Sequence, residues 1–598
     1  MKTMSRLTSV LLLCGLAQAQ VPQENYNEAE EAPFSALKSI VESRQTVGAP
    51  QRDWVARKKG KPNYKISDVT VDVEGDVYIA GILRRIYDTD FFAIKYNSIG
   101  EKQWVASNDN TGDGNQSYYL QSSAKIIADY KDNIYVAGTS GNLFGTAYAT
   151  RKYNKWSGGR LWTRYYTRYG NGSGYNGNHV NDFVVDNAGN VYVTGFSHDS
   201  SGVYHYATVK YNKAGIEQWV RRYGAGYNSS VAAAIALDPT GNVCVTGKGY
   251  DPAANRFFFT TIKYNPTGKT LWTRHFNPPG HFGSEARAIA IDAAGNVYVA
   301  GFSDDHYYYD PALTFVKYNP DGKFLMSRVY VPTREEYDSD GVGLKIWVDE
   351  LQNVYLTGTG FSRTYYVIIK IVTQANNGKD WGISYTGGNG GVAVVSDLFV
   401  DDVGNVYVTG SRSQSAIAQN WNYLTAKFDT KGRLQWALNY NGPKNGNDYA
   451  RALAVDGSGN VYVTGESDGF GPWHDIVTIK YSQNLSSTSG LTSKLTNVEN
   501  TETPAAETNL PSDFYLAPSY PNPFNPSTTI RFGLPHAARV SLKVYNVLSA
   551  EVATLVDEQK SAGEHTVNFT PKNLPSGLYF AVLKAGEARL VQRMIYAK

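Results

Sequence analysis

The phrase Asp186-Asn-Ala-Gly-Asn-Val-Tyr-Val-Thr-Gly195 returns eight times along the chain, beginning at Asp72, Asp129, Asp186, Asp238, Asp292, Asp349, Asp401 and Asp456. Its closing glycines stand 57, 57, 52, 54, 57, 52 and 55 residues apart. A unit of this length is one supersecondary element that buries its apolar face only by stacking on its neighbours, so the chain must build a repeat array. Within the phrase, Asp favours the first position of a type I turn because its carboxylate accepts nearby backbone N–H groups. The Gly three residues on supplies the left-handed residue of a tight hairpin.

Each repeat holds four strands. A short apolar strand precedes the Asp, as in Ala286-Arg-Ala-Ile-Ala-Ile-Asp292, and the phrase itself supplies a second. A variable loop leads to a third, as in Phe259-Thr-Thr-Ile-Lys-Tyr-Asn265, and a tight turn to a fourth that carries Trp, as in Leu271-Trp272. Four short β-branched and aromatic strands are the content of one propeller blade. The Trp positions are Trp54, Trp104, Trp162, Trp219, Trp272, Met326, Trp381 and Trp436, one strand out of step with the eight Asp motifs. The expected fold class is therefore all-β: an eight-bladed β-propeller over residues 52–482, with its first and last segments sharing a blade. Closure of that kind removes exposed edges. Small residues such as Ala234, Ala288 and Ala452 make the strand before each Asp the innermost. The two tight hairpins then share one face, and the long, variable loops share the other, where function belongs.

The Asp-x-x-Gly-Asn-Val-Tyr-Val-Thr-Gly phrase with a following Lys-Tyr-Asn resembles the SBBP family of bacterial β-propeller repeats over Trp54 to Tyr481. Repeat six departs most, with Gln352 for Gly, Met326 for Trp and Ile371-Val372 for Tyr-Asn. The resemblance implies a propeller in a secreted or surface setting and implies no catalytic residues. Residues 483–513, rich in Ser, Thr, Asn and Glu, read as a linker. Short strands beyond it read as a small Ig-like β-sandwich over residues 514–598. Its opening Tyr520-Pro-Asn-Pro-Phe-Asn-Pro526 and its Ser576-Gly-Leu-Tyr579 resemble the type A sorting domain of the type IX secretion system. That resemblance implies the secretion machinery as a partner, transit through the periplasm, and a destination outside the cell or on its outer surface.

Met1 to Ala19 has the charged start, apolar run and small-residue end of a signal peptide. Residues 20–51, with Glu24, Glu28, Glu30 and Glu31, read as a flexible leader with one short helical stretch around Ala36 to Ser43. No other segment approaches the ~20 apolar residues of a membrane span. A net charge of +3 is too small to indicate nucleic acid. Outside the signal the one thiol is Cys244, mid-strand and expected to be buried and inert.

No motif supplies chemistry. There is no zinc-protease signature, Gly172-Ser-Gly174 lacks the outer glycines of a nucleophile elbow, and Gly268-Lys-Thr270 is a turn between strands. Asp109 to Asp113 has partial calcium-loop spacing without the closing Glu, and Asp304, Asp305, Asp310, Glu335, Glu336, Asp338 and Asp340 form an acidic rim. The reading is no catalytic residue, no metal and no cofactor. Four residues before the motif Asp stand Asp68, Lys125, Asp182, Lys345 and Asp397, with Ala in the other repeats, expected to pair between neighbouring blades. Aromatic residues outside the repeated positions gather in the loop face. Tyr175, Tyr227, Phe282, His306, Tyr307, Tyr308, Trp421 and Trp473 are the candidate contacts for a glycan or protein ligand. A binding or scaffold protein is thus the first function expected, and an extracellular polysaccharide hydrolase or lyase the second. Convergence of carboxylates in a central pocket would favour the latter.

Overall fold

The computed structural model describes residues 30–31, 38–40, 50–59, 64–84, 89–107, 124–129, 133–142, 145–167, 177–224, 229–305, 311–330, 344–359, 366–373, 380–386, 392–413, 420–469 and 473–482, and then 515–516, 519, 524, 527–546, 550–571, 574–585 and 588–596. Every regular element among them is a β-strand. The signal peptide and the linker expected over 483–513 lie outside the described residues.

The repeats form four-stranded antiparallel arrays in chain order. The third is representative: His179–Val185, Val191–His198, Tyr204–Tyr211 and Glu217–Tyr223 pair in sequence. The first and second arrays are joined by a single residue pair, Thr89 opposite Gly141. The last array takes three strands from Asp448–Val455, Val461–Asp468 and His474–Ser482 and its outer strand from Gln51–Lys58, with Trp54 opposite Lys480. The first strands of successive arrays touch one another from Tyr64–Val71 around to Asp448–Val455, which touches Tyr64–Val71 again. The arrays are thus a β-propeller closed by its N-terminal strand.

Apolar clusters lie between arrays. One joins Ala452, Tyr462 and Ile476 of the last array to Ile66, Val69, Ile79 and Phe92 of the first, with Trp54 against it. The closing glycines follow from backbone crowding. In six of the arrays the innermost strand bulges by one residue beside the closing Gly, as between Ala286 and Ala288 in the fifth. A Cβ on Gly301 would run into the Glu285 carbonyl oxygen, and one on Gly195 into that of His179.

Met326 pairs with Lys317 and so belongs to the outer strand of the fifth array, not to the sixth as its place among the Trp positions suggested. The leader is not helical at Lys38–Ile40, which is a strand paired with an array edge. Buried Cys244 sits mid-strand as expected.

The C-terminal residues form two antiparallel sheets, Tyr515–Leu516, Thr528–Leu534 and Gly563–Phe569 in one, Ala538–Asn546, Glu551–Lys560, Gly577–Ala585 and Ala588–Tyr596 in the other. They enclose one core, into which the Pro-Phe-Asn motif sends Phe524. Its N–H donates to the Ile595 carbonyl at 2.9 Å and its ring lies 5.2 Å from Tyr596. The final segment is therefore a core strand, with Met594 and Tyr596 buried.

Candidate functional site

The repeated residues are committed to the scaffold. Asp186 Oδ1 accepts the N–H groups of Ala188 and Asn190, and Oδ2 accepts Asn190 Nδ2–H at 2.7 Å and the Tyr192 hydroxyl at 3.1 Å. Asp292 does the same with Asn296 and Tyr298. In the fourth array, where Cys244 replaces that Tyr, Lys263 pairs with Asp238 at 2.8 Å instead. Oxygens engaged this way are filled by hydrogen bonds of the turn, and no metal-holding group of His, Cys, Asp and Glu occurs among the described residues. In the sixth array Gln352 takes the left-handed conformation (φ 63°) that Gly75, Gly189, Gly241, Gly295, Gly404 and Gly459 supply in others.

Six Trp residues each latch an array to the next. Trp272 Nε1–H donates to the Pro320 carbonyl at 3.0 Å, Trp219 to Pro266 and Trp54 to Ser98 at 3.1 Å each. The turn glycine that follows lies flat on the indole. Gly322 has φ +80°, and a Cβ there would meet Trp272 at 2.7 Å.

The charged residues on the innermost strands do pair between arrays. Asp68, Asp182 and Asp397 accept the N–H of Ile126, Ile235 and Leu453 on the next array at 3.0, 3.1 and 3.0 Å. Lys125 lies 3.7 Å from Asp182, and Lys345 lies 3.2 Å from Asp397. Enclosure raises the Asp68 carboxyl above its ordinary range, while Lys125, the Ile126 N–H and, across the axis, Lys345 pull it down. Lys125 is held above its ordinary value first by Asp182 and then by Asp68 and Asp397, against the opposing effect of burial. Three carboxylates therefore do converge on the axis, but each holds a backbone N–H of the neighbouring array. Lys125 and Lys345 stand among them.

On the loop face, Tyr175, Tyr227, His306, Tyr307 and Tyr308 lie outside the described residues, as do Asp109 to Asp113 and the acidic rim beyond Asp305. Phe282 is exposed, with the Arg256 guanidinium 5.4 Å from its ring centre. Trp421 begins the third strand of the seventh array, and Trp473 directly precedes the third strand of the eighth. The Trp421 ring is 6.3 Å from Tyr449, which is 6.1 Å from His474, and the adjacent Trp473 is 47% exposed. Arg451 lies 5.3 Å from the Tyr449 ring, and His474 Nδ1 is 2.7 Å from Asp468. Asp468 Oδ2 also accepts the Asn447 N–H at 2.7 Å, and Asn447 Oδ1 accepts the Trp421 N–H at 3.2 Å. The result is an aromatic ledge held by backbone contacts and edged by a carboxylate and a guanidinium. Tyr449 and His474 escaped the sequence reading because they begin strands of the repeat. Their signal was that both stand at the loop-face ends of those strands.

Residues 519–597 match the family model described as a secretion system C-terminal sorting domain, and residues 442–471 match the one described as a beta-propeller repeat. The chain carries an SBBP repeat and a type IX sorting domain. The sorting domain directs export through type IX secretion to the cell surface or the extracellular space. It implies interaction with the secretion machinery, and no helix among the described residues is long and apolar enough to cross a membrane. No curated protein matches the chain. Similar solved structures include polysaccharide lyase Uly1, at 9% identity over 60% of this chain and 89% of that one with a TM-score of 0.37. The β-propeller domain of the Trilobed protease from Pyrococcus furiosus is similar at 11% identity over 61% and 93%, with a TM-score of 0.36.

Exposure to changing pH outside the cell touches a buried imidazole of the propeller directly. Burial pulls the His179 imidazole down to about 4, and its ring stacks on Phe196 at 4.8 Å. The unfolded chain takes up that proton near 6.5, so the stability contributed by the neutral ring is complete above pH 6.5 and is lost as pH falls towards 4. The loss is on the order of 2–3 kcal/mol. Denaturant midpoints measured from pH 7 to 4 should flatten in His179→Phe; an unchanged slope in that variant would assign the effect elsewhere.

Proposed function

We propose that this protein is an exported eight-bladed β-propeller, followed by an Ig-like sorting sandwich, that binds a glycan or a protein through its long-loop face. The observation that carries the reading is the ledge of Trp421, Tyr449 and His474 across the seventh and eighth arrays, with exposed Trp473 next to His474 in sequence. Flat rings held in place by backbone hydrogen bonds present a large contact area at little entropic cost. Asp468 and Arg451 beside them offer an acceptor and a donor fork to sugar hydroxyls or peptide groups. The axial carboxylates are the alternative centre, and a polysaccharide hydrolase or lyase reading would rest on them. Their engagement with the N–H groups of Ile126, Ile235 and Leu453 favours a structural role instead.

The test screens the mature protein on glycan and protein arrays and repeats the measurement on each hit with Trp421→Ala. An interface aromatic contributes about 1–2 kcal/mol, so affinity should fall roughly five- to thirtyfold. Thermal stability serves as the control. Affinity that holds while stability drops would make Trp421 a packing residue and sink the reading at this ledge.

A further inference from the structure

The leader contributes two short strands, and both add to the outside of the ring. Glu30–Glu31 pairs in parallel with the outer strand of the fifth array, Phe324–Tyr330, with Glu30 opposite Arg328 and Glu31 opposite Val329. Lys38–Ile40 pairs in parallel with the outer strand of the sixth, Trp381–Tyr385, with Lys38, Ser39 and Ile40 opposite Ile383, Ser384 and Tyr385. Among the described residues these are the two arrays that carry a fifth strand.

They are also the pair whose latch is missing. At their interface the latch position is Met326, which has no N–H to donate, whereas Trp272 and Trp381 on either side donate to Pro320 and Thr430. After its third strand the sixth array has Ile371-Val372 where the first five have Tyr-Asn, and in its Asp349 hairpin Gln352 holds a left-handed conformation. The Trp381–Tyr385 edge has no charged residue to repel an added strand, and the Phe324–Tyr330 edge has one, Arg328, which stands opposite Glu30 in the register.

We propose that Glu30–Glu31 and Lys38–Ile40 form a strap that binds the outer edges of the fifth and sixth arrays by β-addition and fastens the interface whose indole latch is replaced by Met326. Main-chain hydrogen bonds supply the attachment, and the edge strands are the receiving surface. The segment counts as part of the folded propeller, and its loss is felt at two strands far from it in sequence.

The test compares the mature full-length protein with the same chain lacking Gln20 to Thr46, by amide hydrogen exchange. Exchange at Phe324–Tyr330 and Trp381–Tyr385 is expected to quicken by about tenfold or more in the shortened chain. The outer strand Thr270–Phe276, which keeps its Trp latch, should be unchanged. A synthetic peptide of residues 26–44 added to the shortened chain should restore the protection, and one with Ser39→Pro and Ile40→Pro should not, since Pro has no N–H for the added strand. Unchanged exchange at both edges, or a rise shared equally by Thr270–Phe276, would overturn the strap.

Discussion

A chain ended after Gln483 is expected to fold and to accumulate behind the outer membrane. The propeller's clusters contain no residue of the C-terminal sheets, and those sheets have a core of their own around Phe524, Ile530, Phe532, Val540, Leu542 and Met594. Folding of the ring and recognition for export are therefore separable. Phe524→Ala should reproduce the export defect in the full-length chain, because emptying a buried Phe site costs about 3–5 kcal/mol in a domain of this size. Cell fractionation with surface protease treatment reads the outcome. Normal amounts of the shortened chain on the surface or in the medium would contradict the assignment of export to residues 519–597.

The second large effect is on ring closure. Arg57, on the N-terminal strand, donates to Asp475 at 2.9 Å, to the Tyr440 hydroxyl at 2.9 Å and to Ser467 Oγ at 3.0 Å. One guanidinium thus ties the outer strand of the last array to two of its inner strands and to the array before it. On the other side, Glu466 accepts the Ile66 N–H of the first array and Arg451 Nε–H at 2.6 Å. Arg57→Ala removes the guanidinium from largely buried Asp475, and with it the bonds to Tyr440 and Ser467, and should cost about 2 kcal/mol after allowance for partial solvent access. Deleting Asp53 to Arg57 removes the strand and the Trp54 latch together, so its loss of stability should be much larger. Thermal unfolding followed by tryptophan fluorescence distinguishes the two. A deletion no worse than Arg57→Ala would mean that the ring closes by another route.

Much of this architecture was legible because eight copies within one chain serve as an internal comparison. The Asp-to-Gly hairpins, the small residues on the innermost strands, the donation of the Trp54 strand to the last array and the inter-array pairing of Asp68, Lys125, Asp182, Lys345 and Asp397 all follow from period and turn chemistry. What stayed hidden depends on contacts between repeats. Nothing in the sequence tells that Gly322 lies on Trp272, or that Gly301 faces the Glu285 carbonyl; spacing marks both as turn or strand-end glycines only. Met326 was placed one array late because the offset between Trp strands and Asp motifs shifts every such assignment by one. Lys38–Ile40 was read as helical from local composition, while an added edge strand is set by the partner it meets. Glu551–Lys560 shows too many charges to stand out as a strand, since its exposed face dominates the reading. At the site, Trp421 and Trp473 stand out once the repeated aromatics are subtracted, whereas Tyr449 and His474 sit at the starts of repeat strands and are placed beside Trp421 only by the fold.

The two faces of the propeller give the sharpest test. Trp156, 62% exposed at a tight turn of the second array, is the counterpart on the opposite face, where Lys95 and Lys155 lie 5.0 and 4.9 Å from its ring. The deciding measurement is affinity for any array-identified ligand in three mature proteins: unaltered, Trp421→Ala with Trp473→Ala, and Trp156→Ala. Loss of about tenfold or more in the double variant, with Trp156→Ala unchanged, is the result that a binding ledge on the loop face requires. Loss in Trp156→Ala with the double variant unaffected would place the ligand on the tight-turn face and contradict it.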